Sequence, residues 1–155
     1  MIMPGEPTPR TRYKSFSYTV GTTWEQGRQG VLRSQTKPDV QIASPPEFKG
    51  VPGVWTPEDL FVAAVDACQM TTFLALAARS EISLVSYAST ATGSLEFGEG
   101  GYRFTRVRVQ PTIVVNNGSR LEDVERLVHD AHRACLIGRS VDCTIEVEPE
   151  IQVAA

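Results

Sequence analysis

Thr56-Pro57-Glu58-Asp59-Leu60-Phe61-Val62-Ala63-Ala64-Val65-Asp66-Ala67-Cys68-Gln69-Met70 decides the fold of this chain. Thr56 is a good helix N-cap, Pro57 suits the first helical position, and Glu58 and Asp59 sit where the positive end of the helix dipole favours carboxylates. The apolar run continues through Phe73, Leu74 and Leu76 to about Ala78, which predicts a long helix. At 100° per residue its apolar side chains reach every face, broken only by Asp66, Gln69, Thr71 and Thr72. Such a helix belongs inside a core, and it carries a cysteine at its middle and a carboxylate at its start.

The elements on either side of it are shorter. Residues 1–11 are rich in proline and polar side chains and read as a flexible N-terminal arm, leaving 12–155 as a single domain. Tyr13 to Thr23 carries apolar residues at Tyr13, Phe16, Tyr18 and Val20, a predicted strand. Gly27-Arg28-Gln29-Gly30 is a turn, and Val31 to Arg33 and Val40 to Ala43 continue a meander. Ser44 to Gly53, with three prolines, forms a rigid loop leading into Trp55. With Phe48 and Trp55 beside it, this loop either lines an apolar pocket or is a packed surface connection.

Beyond the central helix, Leu84 to Phe97 and Tyr102 to Val115 are predicted strands joined by Gly98-Glu99-Gly100-Gly101, a hairpin signal. After Asn116-Asn117-Gly118, Ser119 and Glu122 have capping-box spacing. Leu121, Val124, Val128, Ala131 and Cys135 then mark one apolar stripe of a second helix, with Gly138 placed to end it. Val141, Cys143, Ile145 and Val147 alternate with polar residues as a closing strand. The order meander, buried helix, hairpin, amphipathic helix, strand makes an α+β domain. One sheet and a one-striped helix cannot cover a helix that is apolar all round. A second copy of the same helix is the simplest cover, so burial implies a homodimer.

Composition narrows the function. The chain has 155 residues, 17.0 kDa, a net charge of −3 and a pI near 5.4, which argues against a nucleic-acid binder. Asp66 and Gln69 make the one long apolar stretch a poor membrane span, and no signal peptide is evident, so the expectation is a cytoplasmic protein. Three widely spaced cysteines are not a secreted disulfide framework. In a reducing compartment each is an inert core thiol, a metal ligand or a redox group. His129, His132 and Cys135 step by three along one helix and drift about 60° per step, too far to share an ion, so no metal or other cofactor is expected.

Cys68 and Cys135 share one circumstance: both lie on helix faces that must enter the same core. A nucleophilic thiol must be ionised and needs a group that lowers its pKa. Cys68 lies about three turns from its helix start and gains little from the dipole, so Arg28 is a candidate neighbour. Cys135 falls in the last turn of its helix, where the negative dipole end opposes a thiolate. That asymmetry suits Cys68 as the attacking and Cys135 as the resolving sulfur. Glu58 could orient the arginine, yet it lies about 15 Å along the helix from Cys68. It therefore either complements the dipole or serves the thiol of a second subunit. Asp66 would oppose a thiolate, but side chains two apart on a helix diverge.

The segment 56–68 resembles the central helix signature of the OsmC/Ohr family, the osmotically inducible and organic hydroperoxide resistance proteins. Ala131-His132-Arg133-Ala134-Cys135 is similar to the family's second cysteine motif, and Gly27-Arg28-Gln29-Gly30 to its arginine turn. The likeness runs from about Tyr13 to Ile151. It implies an intertwined α+β homodimer, antiparallel sheets wrapped around two long buried central helices, with sites at the interface. It also implies thiol peroxidase activity: Cys68 reduces an organic hydroperoxide, Cys135 resolves the product as a Cys68–Cys135 disulfide, Arg28 and Glu58 activate Cys68, and an external dithiol restores the enzyme. Phe48, Trp55, Phe61 and Met70 are then candidate apolar walls for the substrate. Leu136-Ile137-Gly138-Arg139-Ser140 departs from the proline and serine that commonly follow the family's second cysteine. The rival reading is a non-enzymatic dimer that binds an apolar small molecule in the interface cleft.

Overall fold

The computed structural model describes residues 13–155, so the arm expected over 1–11 lies outside the described residues. Its backbone is a three-stranded sheet, a long helix, and a four-stranded sheet crossed by a second helix. The first sheet is an antiparallel meander of β1 (Gly21–Gln26), β2 (Gln29–Arg33) and β3 (Val40–Ala43). The predicted strand from Tyr13 begins only at Gly21; residues 13–20 are exposed and pair with no neighbour. The step of three from Tyr13 to Phe16 already breaks the alternation a half-buried strand requires.

The central helix α1 spans Pro57–Arg79, 23 residues, and starts as its sequence dictates. Thr56 Oγ1 accepts a hydrogen bond from the Asp59 N–H at 3.1 Å, and Asp59 Oδ2 accepts one from the Thr56 N–H at 3.0 Å. This is a closed capping box, with Pro57 in the first turn where no N–H is needed. Val65, Gln69, Phe73 and Ala77, at steps of four, form the fully buried face. The helix is thus buried along one stripe of a single chain and not all round: Ala64, Ala67, Thr71, Ala75 and Ala78 face outward. By length and apolarity α1 meets the criterion for a membrane span, yet it packs as a core helix against the strand pair and the second helix that follow it.

Strands β4 (Leu84–Gly98) and β5 (Gly101–Val115) form a long antiparallel hairpin turned by Glu99-Gly100. Gly100 and Gly101 take φ of 92° and 111°, a conformation open to glycine. Helix α2 (Leu121–Ala134) then carries the chain across to β6 (Thr144–Val147) and β7 (Glu150–Val153). Both lie parallel to β5, end to end along its free edge. Parallel pairing needs such a crossover. Two expectations change here. The closing strand is two strands, interrupted at Glu148-Pro149, and the sheet is mixed rather than antiparallel. Pro149 cannot donate to a ladder, which is where the pairing lapses.

Helix α2 also starts differently from its capping-box prediction. Ser119 gives its N–H to the Asn116 carbonyl and belongs to the turn, leaving Arg120 as an N-cap without a side-chain bond. Two clusters fill the interior. Phe73 and Ala77 meet Ile113, Val115, Val124, Val128 and Ala131, while Val65 meets Val107 and Val109. The buried Gln69 amide donates to the Val128 carbonyl at 3.1 Å, pinning the middle of α1 against α2.

Candidate active site

The middle of α1 and the end of α2 bring Cys68 and Cys135 together. Helix α2 stops at Ala134, before the predicted Gly138, and Cys135 is its C-cap in extended geometry (φ −60°, ψ 115°). Cys135 is buried, Cys68 is half-buried, both are free thiols, and each affects the other's ionisation. One helical turn beyond Cys68, Thr72 places its hydroxyl 3.9 Å from the sulfur. The chain after Cys135 folds back as a tight turn, closed by the Arg139 N–H on the Cys135 carbonyl (3.0 Å) and the Ser140 N–H on the Ile137 carbonyl (2.9 Å). Within it the Gly138 N–H donates to Cys135 Sγ at 3.3 Å.

The two thiols are therefore electrostatically unequal. Burial alone pushes the Cys68 pKa up. Hydrogen bonds from the Cys135 thiol, the Ile137 N–H, the Thr72 hydroxyl and the Leu136 N–H outweigh it and hold Cys68 below the ordinary thiol value. Cys135 is pushed up to about 11 by burial and by its role as donor to Cys68. Of the two, Cys68 is the sulfur that gives up its proton first. Cys143, read from sequence as a core residue, packs half-buried beside Val65, Val107 and Val109.

Arg28 and Glu58 are not brought to the sulfurs within one chain. Arg28, in the β1–β2 turn, is exposed and donates through Nη1 to the Phe48 carbonyl. Glu58 lines a separate cleft of about 920 Å³ between the proline-rich loop, α1 and the β4–β5 hairpin. Phe48 and Trp55 line this cleft, one of the two alternatives left open for their loop; Phe61 and Met70 do not. Phe61 instead stacks on Phe104 at 4.5 Å, and Met70 is half-buried elsewhere on α1. Tyr102, Phe104 and Leu95 from the hairpin complete the apolar lining and were not foreseen. The clue in the sequence is Gly93 inside a strand pattern, since a glycine there marks a close approach. A Cβ at Gly93 would fall 2.6 Å from Val62 and 2.7 Å from Phe104.

Two carboxylate oxygens, Glu58 Oε2 and Asp66 Oδ1, are buried at this cleft without a hydrogen-bond partner among the described residues. Burial and the Asp66 charge together push the Tyr87 phenol up to about 12. Asp66 thus faces β4 and the cleft, away from Cys68, as the angular divergence of positions 66 and 68 requires. Among the described residues no group of three His, Cys, Asp or Glu side chains is arranged to hold a metal ion.

Residues 50–150 match the family model for OsmC-like proteins. No curated protein sequence matches the chain. An OsmC-like protein of unknown function from Vibrio cholerae superposes with a TM-score of 0.79 at 26% identity, covering 88% of this chain and 99% of that one. An organic hydroperoxide resistance protein OsmC from Legionella pneumophila gives 0.69 at 25% identity, covering 90% and 98%. An organic hydroperoxide resistance protein from Elizabethkingia anophelis gives 0.67 at 24% identity, covering 90% and 97%, a likeness of fold. With the matched segment running from the proline-rich loop through α1 and both cysteines to β7, the chain belongs to the OsmC-like protein family.

Proposed function

We propose that this protein is a cysteine-based peroxidase that reduces organic hydroperoxides to alcohols. The observation that carries the reading is the pair of adjacent, unequal thiols: Cys68 held below the ordinary value and Cys135 raised to about 11. The Cys68 thiolate attacks the distal oxygen of ROOH. The O–O bond breaks, Cys68 becomes a sulfenic acid, and the alkoxide leaves and takes up a proton to become ROH. Cys135, the more basic sulfur, gives its proton to the departing alkoxide and becomes the resolving thiolate. Its attack on the Cys68 sulfenic sulfur forms the disulfide and expels hydroxide, which is protonated to water. An external dithiol then reduces the disulfide, becoming oxidised itself. The setting is a reducing, cytoplasmic one, with no cofactor required.

In this reading the protein works as a homodimer, with the small-residue face of α1 (Ala64, Ala67, Thr71, Ala75, Ala78) packed against a second copy. Glu58, whose Oε2 lacks a partner, and Arg28, which is exposed, serve the thiol of the opposite subunit. Phe48 and Trp55, with Tyr102 and Phe104, form the apolar wall that favours organic peroxides over hydrogen peroxide. Treating the reduced protein with one equivalent of an organic hydroperoxide should yield a Cys68–Cys135 linkage, seen by peptide mass spectrometry as the loss of two hydrogens. Persistent free thiols at both positions overturn the reading.

One observation favours a second reading: the aromatic cleft does not include either sulfur within one chain. In that case the protein is a non-catalytic dimer that binds an apolar small molecule. Cys68→Ser would then leave ligand binding intact, and the wild type would consume no peroxide.

A further inference from the structure

We infer that the cleft between the proline-rich loop, α1 and the β4–β5 hairpin takes a hydroperoxide with an uncharged aromatic body and turns away one that carries a carboxylate, so that charge as well as apolarity selects the substrate. The inference rests on the peroxidase reading for the peroxide group, and on the cleft alone for its charge preference. At about 920 Å³ the cleft has the size of a small-molecule site. Its walls are rings from separate elements. Phe48 of the loop meets Tyr102 of the hairpin edge to face, with centroids 5.1 Å apart, and Trp55 and Phe104 line the same space. Rings in this arrangement offer faces and edges on which another arene packs well.

The charged part of the lining has one sign. Glu47, Glu58, Asp59 and Asp66 contribute carboxylates, and among the described residues no lysine, arginine or histidine lines the cleft. The Asp59 carboxylate is spent on the capping box, where it accepts from the Thr56 N–H and hydroxyl. Glu58 and Asp66 each keep an oxygen with no partner among the described residues. Arg28, which donates to the Phe48 carbonyl, and Lys49, next to Phe48 in the loop, are exposed outside the lining. Setting both of these cations against the four carboxylates still leaves the cleft negative. A cleft lined by one sign of charge between apolar walls focuses its field on whatever enters. An acid tail is repelled there, while an uncharged arene meets only the attraction of the rings.

Binding to the full-length reduced chain tests this with three probes that share one body and hold no peroxide: 2-phenylpropan-2-ol, its para-carboxylate and its para-aminomethyl form, which is an ammonium near neutral pH. In amide NMR titrations at low salt, the neutral alcohol should shift Thr92 and Gly93, which line the cleft. The carboxylate should bind about tenfold more weakly, and the ammonium at least as tightly as the neutral alcohol. The ammonium separates an effect of charge from one of added polarity or bulk. Asp66→Asn and Glu47→Gln, the second at an exposed position, should each narrow the gap, as should about 0.5 M salt in the wild type. A carboxylate that binds as tightly as the neutral probe overturns the inference. So do a neutral probe that leaves both amides unmoved, an ammonium as weak as the carboxylate, and a gap that neither variant narrows. Turnover of cumene hydroperoxide and its para-carboxylate separates the two readings. If both are consumed at equal kcat/KM and the probes bind alike, the charge preference falls and the peroxidase stands. If the probes rank as expected and neither peroxide is consumed, the reverse holds.

Discussion

At the scale of single residues, the chemistry depends on which sulfur is charged. Cys68 is held below the ordinary 9.0 of a free thiol and Cys135 well above it. The fold shifts Cys68 toward its charged form, so its reactive fraction falls as pH drops through the lowered pKa. Single-turnover peroxide consumption should therefore rise with pH about a midpoint below the 9.0 of a free thiol, while Cys135 ionises only near 11. Cys68→Ser should abolish rapid consumption, since the other sulfur at the site, Cys135, keeps its proton up to about 11. Cys135→Ser should complete one turnover and stop at a sulfenic acid that dimedone traps. A Cys135→Ser protein that cycles as fast as wild type would show that the second sulfur resolves nothing.

At the scale of elements, Gly93 governs how closely β4 approaches α1. Gly93→Ala would drive a methyl into the Val62 and Phe104 side chains, so we expect a stability loss of about 1–3 kcal/mol, the usual cost of overpacking. Phe73→Ala, which empties the centre of the core between α1, β5 and α2, should cost about 3–5 kcal/mol. Urea midpoints read both, and a Gly93→Ala midpoint equal to wild type would mean that β4 yields freely. The helices and the β4–β5 hairpin were legible because each follows from short-range rules: the Thr56–Asp59 box, the stripe through Val124 and Val128, and glycines at the turn. What escaped the sequence depends on partners far along the chain. Tyr13 to Val20 have strand-forming side chains but are exposed and belong to neither sheet, and β6 and β7 align with β5 only because α2 returns the chain parallel to it. The meeting of Cys68 with Cys135 was expected from their apolar helix faces. The Gly138 N–H donated to Cys135 Sγ was not, since every residue except proline carries an N–H and only the fold decides where it points.

At the scale of the whole molecule, one chain leaves the arrangement incomplete. A 23-residue apolar helix shows an open face of small residues, Glu58 holds a buried oxygen with no partner among the described residues, and Arg28 is engaged with the Phe48 carbonyl. A second copy in antiparallel register would answer all three, setting the start of one α1 beside the middle of the other. Ala67→Glu puts a charge on the open face and should convert a dimer to monomers in light scattering, with loss of peroxide turnover. Shared sites make a sharper prediction. Cys68→Ser and Arg28→Ala should each be impaired alone. When the two are unfolded together and refolded as a mixture, a mixed dimer contains one site with an intact Cys68 from one chain and an intact Arg28 from the other. Random pairing makes half the dimers mixed, each with one good site of two, so about a quarter of wild-type activity should return. Were Arg28 to act on the thiol of its own chain, no pairing could reunite them, and the mixture would be no more active than the average of its parts.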